Sequence, residues 1–153
     1  MSVAKQQALW RQRLSEACQE HTGCSGRDAD PRSVCMLVAV ESPGSQVCGW
    51  ISVGCVQVHE DDATPTAPAQ SCEVSGLNVD PSAWGRGAAT ALLSAAVAHM
   101  RRRGFAHAVL WVMEGNARAI RFYQREGWQR DGARRSDKRD DQHFFTLRMH
   151  RAL

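Results

Sequence analysis

The segment from residue 72 to residue 90, which reads CEVSGLNVDPSAWGRGAAT, decides the fold of this chain. Its first part is an apolar strand pattern closed by Asp80-Pro81, and its second part is a glycine-rich turn that leads into an alanine-rich helix pattern. The first N–H groups of a helix have no partner within it, so they attract an anion placed against the turn. The segment therefore predicts an anion-binding turn at residues 85–90, although a plain tight turn would have the same pattern.

The strand within this segment does not keep a strict alternation of apolar and polar residues. Val74 and Leu77 are apolar but lie three residues apart, whereas one face of a strand repeats every two residues. A one-residue bulge at Gly76 would restore the phase and leave backbone N–H groups unpaired. Such donors can hold a carbonyl oxygen and the negative charge that develops on it in a reaction. The alternative is a strand irregularity without a function.

Around this segment the patterns alternate between strands and helices. We expect one domain over residues 1–153 and an α/β layer arrangement. The expected helices cover residues 4–20, the stretch after the glycine turn to Arg103, and the stretch from Asn116 to Glu126. The expected strands cover residues 33–41, 47–58, 72–79, 106–112 and 144–149, with a short strand starting at 128–130; the first two form an antiparallel hairpin. Residues 132–142 are predicted to be a charged loop.

Composition excludes several classes of function. The hydrophobic fraction of 43%, the charged fraction of 23% and the net charge of +3 are typical of an ordinary globular protein. The one tight basic run, residues 101–103, falls at a helix end, so we expect no nucleic-acid partner. The six cysteines form no C-x-x-C pair, so we expect no metal site. No apolar run reaches membrane-spanning length, and we expect a cytoplasmic protein with free thiols.

A second group of residues follows about 30 positions later. Asn116 can cap a helix, and Tyr123, which is the single tyrosine of the chain, follows two turns further along the same face. Ala119 and Phe122 lie between or beside them, and Gly127-Trp128 ends the motif. Taken alone, a tyrosine on a helix usually serves packing.

Together the two groups resemble the GNAT acetyltransferase superfamily. That family has a strand of the form Glu-hydrophobic-x-x-Leu-x-Val before a proline and Gln/Arg-x-x-Gly-x-Gly/Ala, and here Glu73 to Pro81 and Trp84 to Ala89 occupy those places. It then has a strand, an Asn, an Ala and Phe-Tyr before Gly-Phe, which correspond here to residues 110–112, Asn116, Ala119, 122–123 and 127–128. The resemblance covers roughly residues 34–149 and is most specific over 72–128.

The resemblance implies a mixed, mostly antiparallel central sheet flanked by helices, and transfer of an acetyl group from acetyl-CoA to an amine. Acetyl-CoA would lie in a splay between the strands 72–79 and 106–112. Glu73 would be the base and Tyr123 the acid that protonates the departing thiolate. The residues that would hold the cofactor are Leu77, Asn78, Val79, Trp84, Gly85, Arg86, Gly87, Ala88, Ala89, Thr90, Asn116, Ala119 and Tyr123. Glu114 is a second carboxylate nearby, which we interpret as a loop residue.

Two departures from the family pattern affect these expectations. Trp84 replaces the usual Gln or Arg, so its side chain cannot bond phosphate as those do, although the backbone cradle is unaffected. We also expect the family's first strand and first helix to have no counterpart here, and in the family those elements shape the acceptor side. The acceptor is a small-molecule amine or a protein or peptide amine, which the acidic residues 59–62 could attract. The alternatives are a non-catalytic CoA-binding module and an interaction module, and a homodimer is possible.

Overall fold

The computed structural model describes residues 34–41, 46–56, 70–139 and 142–153. Three expectations concern residues outside this description. They are the helix over residues 4–20, the absence of the family's first strand and helix, and the role of the acidic residues 59–62. The elements of the described part are β1 (Cys35–Glu41), β2 (Gln46–Cys55), β3 (Ser71–Val79), α1 (Ala88–Arg102), β4 (His107–Met113), α2 (Ala117–Arg125), β5 (Gln129–Arg139) and β6 (Gln142–Ala152). A single 3₁₀ turn, Pro81–Ala83, joins β3 to the glycine turn.

All six of these strands belong to one sheet, in the order β1-β2-β3-β4-β6-β5. The neighbours pair antiparallel, as in the predicted β1–β2 hairpin, except for β3 and β4, which are parallel. The parallel pair needs a crossover, and α1 supplies it. This arrangement confirms the expected mixed, mostly antiparallel α/β sheet with flanking helices.

The core lies between α1 and one face of this sheet. Leu92, Leu93 and Met100 of α1 are almost fully buried, as are Ile51 of β2 and Leu110 of β4. Burying a side chain of this size stabilises the fold by roughly 1.5–3 kcal/mol relative to leaving it in water. The helix contacts β1, β2 and β3.

The prediction of a charged loop at residues 132–142 is wrong for residues 132–139, which continue β5 and pair with β6. Ala133 is buried on this strand, but the next two inward positions, Arg135 and Asp137, are charged, which hid the alternation in the sequence. The Arg135 Nε donates to Asp137 Oδ2 at 3.1 Å, and the Thr146 hydroxyl of β6 donates to the same oxygen at 2.8 Å. Because these side chains satisfy one another, a strand face can be polar and still half-buried.

Candidate functional site

Strand β3 changes its pairing halfway along its length. Residues 72–74 pair with β2 on one edge, residues 71–74 pair with β4 on the other, and the parallel ladder to β4 ends at Val74 and Leu110. Among the described residues, residues 76–79 pair with β2 alone. We call residues 71–74 the paired half and residues 75–79 the open half. The open half faces the expected splay between β3 and β4.

A bulge separates the two halves. Ser52 of β2 is opposite Gly76 while the next residue, Val53, is opposite Val74, so Ser75 is the extra residue. This confirms a bulge between Val74 and Leu77, but the extra residue is Ser75 and not Gly76, where the prediction placed it. The Ser52 and Ser75 hydroxyl oxygens lie 2.5 Å apart and join the bulge to β2.

The structure explains why glycine is required at position 76, which the spacing of the apolar residues does not. A Cβ at Gly76 would lie 2.7 Å and 2.8 Å from the Cζ3 and Cη2 atoms of the Trp50 indole, far closer than carbon atoms approach. Trp50 sits on β2 opposite Asn78, so its ring lies diagonally across the bulge. Only glycine leaves room for this ring.

The open half directs backbone donors into the splay. The Asp80 N–H donates to the Cys48 carbonyl oxygen at 2.8 Å, so the backbone of residue 80 faces β2. Backbone groups of successive residues point to opposite edges of a strand in an antiparallel ladder. Asn78 therefore also bonds to β2, whereas the N–H groups of Leu77 and Val79 point towards the β4 side.

The turn after β3 leads into α1, whose N-terminus has no side-chain cap. Gly85 and Gly87 have φ angles of 71° and 89°, which are strained for any residue with a side chain. Gly87 is the N-cap of α1 and contributes no side-chain hydrogen bond there. The first N–H groups of the helix, at Ala88, Ala89 and Thr90, thus keep the free donors and the positive dipole end that favour an anion.

Two side chains of this turn already have partners. The Trp84 Nε1 donates to the Val79 carbonyl oxygen at 2.8 Å, and the Arg118 guanidinium lies 3.8 Å from the centre of the Trp84 ring. Arg86, expected beside an anion, forms an ion pair with Glu41 at the end of β1, with 2.5 Å between Nη1 and Oε1. Trp84, which replaces the family's Gln or Arg, thus bonds to the Val79 carbonyl and stacks against Arg118.

Helix α2 lies beside the same turn. The Thr90 hydroxyl of α1 donates to Glu126 Oε1, just beyond the end of α2, at 2.9 Å. Asn116 caps α2 as predicted, with its Oδ1 accepting from the Ala119 N–H at 3.0 Å. The two helices therefore flank the turn at residues 84–87.

Tyr123 lies on the buried side of α2. Its ring is 5.2 Å from that of Phe122 and 6.1 Å from that of Trp128, measured between centroids. Burial raises the pKa of its hydroxyl above the ordinary value of 10.0, so the group keeps its proton at neutral pH. Among the described residues the hydroxyl has no hydrogen-bond partner, which leaves its proton available to a ligand.

Glu73 lies in the paired half, one residue before the bulge. Its neighbours Cys72 and Val74 belong to the core on the α1 side, so its side chain points to the opposite face of the sheet. Glu73 is only 8% exposed, which makes the alternative of an ordinary surface carboxylate wrong. Glu114, in contrast, is exposed and pairs with Arg134 at 2.8 Å, and this hydrogen bond lowers the pKa of Glu114. It is a loop residue, as interpreted from the sequence.

The face that carries Glu73 also carries a polar cluster that the sequence did not indicate. Arg135 lies 4.5 Å from the ring centre of Trp111, the first residue of β4 beyond its ladder with β3. Arg148, nearly buried on β6, pairs with Asp131 at 2.6 Å between Nε and Oδ2. No single-sequence pattern could have found this cluster, because its charges alternate along a segment that reads as a solvated loop.

Two further observations concern the described residues alone. They include no group of three or more His, Cys, Asp and Glu side chains placed to hold a metal ion. Their helices are also too short or too polar to cross a membrane.

A mixed sheet whose central parallel strands part beside a glycine turn is the architecture of a GNAT-type α/β protein. Residues 6–128 match the Acetyltransferase (GNAT) family, and the chain belongs to this family. A solved ribosomal-protein-alanine N-acetyltransferase from Brucella melitensis is similar in fold, with a TM-score of 0.65 and 20% identity. That likeness covers 100% of this chain and 97% of the other.

Curated relatives agree with this family. A mycothiol acetyltransferase of Geodermatophilus obscurus is 41% identical over 58 residues, which are 38% of this chain and 19% of the relative. An uncharacterized N-acetyltransferase of Methanocaldococcus jannaschii is 33% identical over 103 residues, which are 67% of this chain and 41% of the relative. The chain thus spans less than half the length of each of these two curated relatives.

Proposed function

We propose that this protein is an N-acetyltransferase that moves the acetyl group of acetyl-CoA directly to an amine within a ternary complex. The observation that carries the proposal is the end of the β3–β4 ladder at Val74 and Leu110, beside a bulge and an uncapped helix. An extended cofactor arm fits a gap lined by backbone donors, and a diphosphate fits the turn that follows.

The residues that would hold acetyl-CoA fall into three groups. In the open half, the N–H groups of Leu77 and Val79 would pair with the amide groups of the pantetheine arm, and Asn78 would hold the strand against β2. In the turn, the residues at 84–90 would surround the diphosphate with backbone N–H groups. Asn116 and Ala119, at the start of α2, would contact the arm from the other side.

The reaction needs one group to take a proton and one to give a proton. Alkyl amines are mostly protonated at neutral pH, so the acceptor must lose a proton before its nitrogen attacks. Glu73 would take that proton, directly or through water, because it is a nearly buried carboxylate next to the bulge. The thioester supplies an activated acetyl group. Tyr123 would protonate the CoA thiolate as it leaves, because its raised pKa keeps the hydroxyl protonated.

The acceptor is an amine on a small molecule or on a peptide. Several curated relatives are mycothiol acetyltransferases, and the similar Brucella melitensis structure is a ribosomal-protein-alanine N-acetyltransferase. Both kinds of acceptor therefore belong in the assay panel. A non-catalytic cofactor-binding module would bind acetyl-CoA and release no thiol with any amine.

Calorimetric titration with acetyl-CoA tests the binding step. The Ala89→Glu variant tests it most directly. A carboxylate in the first turn of α1 stabilises the helix through its dipole, but it repels a diphosphate. We expect acetyl-CoA affinity to fall about tenfold or more while the melting temperature stays the same or rises. Ala89→Gln is the neutral control and should bind nearly as the wild type does. Equal binding by both variants would place the diphosphate elsewhere.

Thiol release over the amine panel tests the transfer step. Tyr123→Phe removes only the hydroxyl, so we expect turnover to fall by about 10²-fold while acetyl-CoA affinity is kept. Because Tyr123 is the single tyrosine of the chain, its ionisation can be followed alone by tyrosinate absorbance. Unchanged turnover in this variant would remove Tyr123 from the role of acid.

A further inference from the structure

The sheet face that carries Glu73 points away from both helices. Leu92 of α1 and Ile120 of α2 belong to the same buried core cluster as Val74 of β3, whose side chain points away from that of Glu73. Tyr123 lies on α2 and the glycine turn leads into α1, so the proposed cofactor contacts belong to the helix side. An amine that reaches Glu73 therefore approaches from the opposite face.

Trp111 and Arg135 lie on this opposite face, close to Glu73. Glu73 is opposite Val109 of β4, and Trp111 is two residues further along the same face. With about 3.3 Å per residue and about 4.8 Å between strands, the Cα atoms of Glu73 and Trp111 are about 8 Å apart. The Arg135 Cζ lies 4.5 Å from the centre of the Trp111 ring. A carboxylate and a guanidinium thus lie on either side of the point where the β3–β4 ladder ends.

The guanidinium of Arg135 has donors that the described residues do not use. Its Nε donates to Asp137 Oδ2 at 3.1 Å, and the same oxygen accepts from the Thr146 hydroxyl. The two Nη groups have no hydrogen-bond partner in the described part of the chain, although the side chain is only 19% exposed. Donors buried to this extent cost free energy unless they are paired. Arg135 therefore offers two parallel donors to a ligand.

The charges around Arg135 favour a ligand group with a single negative charge. Arg148, beside the same indole, pairs with Asp131 at 2.6 Å. Asp131 and Asp137 therefore balance the two arginines, so a group with two negative charges would leave an excess on a half-buried face. A carboxylate carries one charge and matches the fork of a guanidinium. Because Glu73 attracts an ammonium group, the face as a whole matches a zwitterion.

We propose that the acceptor is a free amino acid whose carboxylate binds to Arg135, which rests on the proposed function. The carboxylate accepts two parallel hydrogen bonds from the Nη groups of Arg135, and the Trp111 ring holds the guanidinium plane. The amino group then lies between Glu73 and the thioester. Of the two kinds of acceptor considered above, the small molecule is favoured, because the amine at the start of a peptide has no carboxylate attached to the same carbon.

The transfer is balanced with this acceptor. Glu73 takes one proton from the ammonium group, and the nitrogen lone pair forms the C–N bond as the C–S bond breaks. Tyr123 protonates the departing thiolate. The second proton that the nitrogen loses returns through water to Tyr123, and the proton on Glu73 leaves to the solvent.

Thiol release from acetyl-CoA tests the proposal with matched acceptors, namely L-amino acids and their carboxamides. We expect at least one amino acid to have a kcat/KM about tenfold or more above that of its carboxamide. Amine reactivity alone predicts the opposite order, because the carboxamide lacks the carboxylate that stabilises the ammonium form. In the Arg135→Gln variant, kcat/KM for the acid should fall to that of the carboxamide, mainly through KM. Arg135→Lys should not restore the preference, because an ammonium group has no fork.

The matched control is Arg134→Gln, which removes the same charge from the neighbouring position of β5 on the other face of the strand. Arg134 is exposed and pairs with Glu114, so the preference for the acid should persist in this variant. Equal use of acids and carboxamides by the wild type would overturn the proposal. An equal loss for both compounds in the Arg135→Gln variant would also overturn it, since a merely structural role weakens both.

Titration with N-acetyl amino acids, the products of this transfer, tests the carboxylate site without turnover. We expect the wild type to bind an N-acetyl amino acid about tenfold more tightly than its carboxamide, and Arg135→Gln to bind the two equally. If this preference is present but no amine releases thiol, the carboxylate site is supported and the proposed function fails. If thiol is released but acids are preferred in neither measurement, the carboxylate site fails and the proposed function is supported.

Discussion

The paired half and the open half of β3 belong to one strand but differ in burial and in pairing. In the paired half, Cys72, Glu73 and Val74 are all buried and both strand edges are engaged. In the open half, Ser75 and Asn78 are exposed, and no strand of the described part of the chain pairs with the second edge. One extra residue, Ser75, marks the change from one to the other.

This difference shows how a strand can be both scaffold and site. Two ladders fix the backbone of the paired half. Because the open half continues the same strand, its position is fixed as well, while its outer donors stay available. A site made of backbone donors on a rigid element needs little rearrangement when a ligand binds. Four experiments test whether the two halves differ in this way.

The largest effect should come from proline at two adjacent positions of the open half. Asn78→Pro removes an N–H that bonds to β2, so we expect a loss of about 2–4 kcal/mol in the free energy of unfolding. Val79→Pro removes an N–H that points into the splay, so it should lower stability by about 1 kcal/mol and acetyl-CoA affinity about tenfold. Denaturant unfolding and calorimetric titration measure the two effects.

Each of these two variants is the control of the other. If Val79→Pro were as destabilising as Asn78→Pro, the outer edge would be a structural ladder. The division of β3 into two halves would then be wrong.

The next effect concerns the bulge itself. Gly76→Ala places a methyl group against the Trp50 ring, which must move, so we expect a loss of about 1–3 kcal/mol in stability. In a Trp50→Leu background the same change should be nearly neutral, because the ring is gone. A double-mutant cycle by denaturant unfolding gives the coupling between the two residues. An equal loss in both backgrounds would exclude the indole as the reason for glycine.

Hydrogen exchange gives a smaller but more direct comparison. In the free protein the amides of Leu77 and Val79 should exchange faster than those of residues 72–74, because none of the described strands pairs with their edge. Saturating acetyl-CoA should slow the amides of Leu77 and Val79 about tenfold or more and leave residues 72–74 nearly unchanged. Protection that spreads evenly along β3 would indicate general stabilisation instead of contact with the open half.

The smallest effect should come from Ser75→Ala. The Ser75 hydroxyl joins the bulge to Ser52, which is 7% exposed, so its loss should lower stability by about 1 kcal/mol. The matched control Ser136→Ala, at an exposed position of β5, should have no measurable effect. No change in the Ser75→Ala variant would show that packing alone holds the bulge.

The sequence was sufficient for the fold wherever the side chains alternate or repeat cleanly. The apolar pattern of β4 and the alanine stripe of α1 predicted their elements to within a residue or two, and the slip between Val74 and Leu77 predicted the bulge. These features are local, so neighbouring residues contain all the information they need.

The features that the sequence missed depend on residues far apart along the chain. The inward charges of β5 are satisfied by Thr146 and Trp111, which cannot be foreseen from residues 129–139 alone. The need for glycine at position 76 comes from Trp50 on another strand. The partners of Trp84 and Arg86, namely Arg118 and Glu41, likewise depend on packing across the fold.

The hydrogen bond from the Trp84 indole to the Val79 carbonyl also bears on the solubility of the protein. An uncovered strand edge is a template for aggregation because its alternating donors and acceptors can pair with another chain. The indole occupies the acceptor at residue 79, so the edge offers a donor there without the carbonyl that an incoming strand would need. Such an edge offers an additional β-strand one acceptor fewer, while its donors stay available to a ligand rich in carbonyl groups.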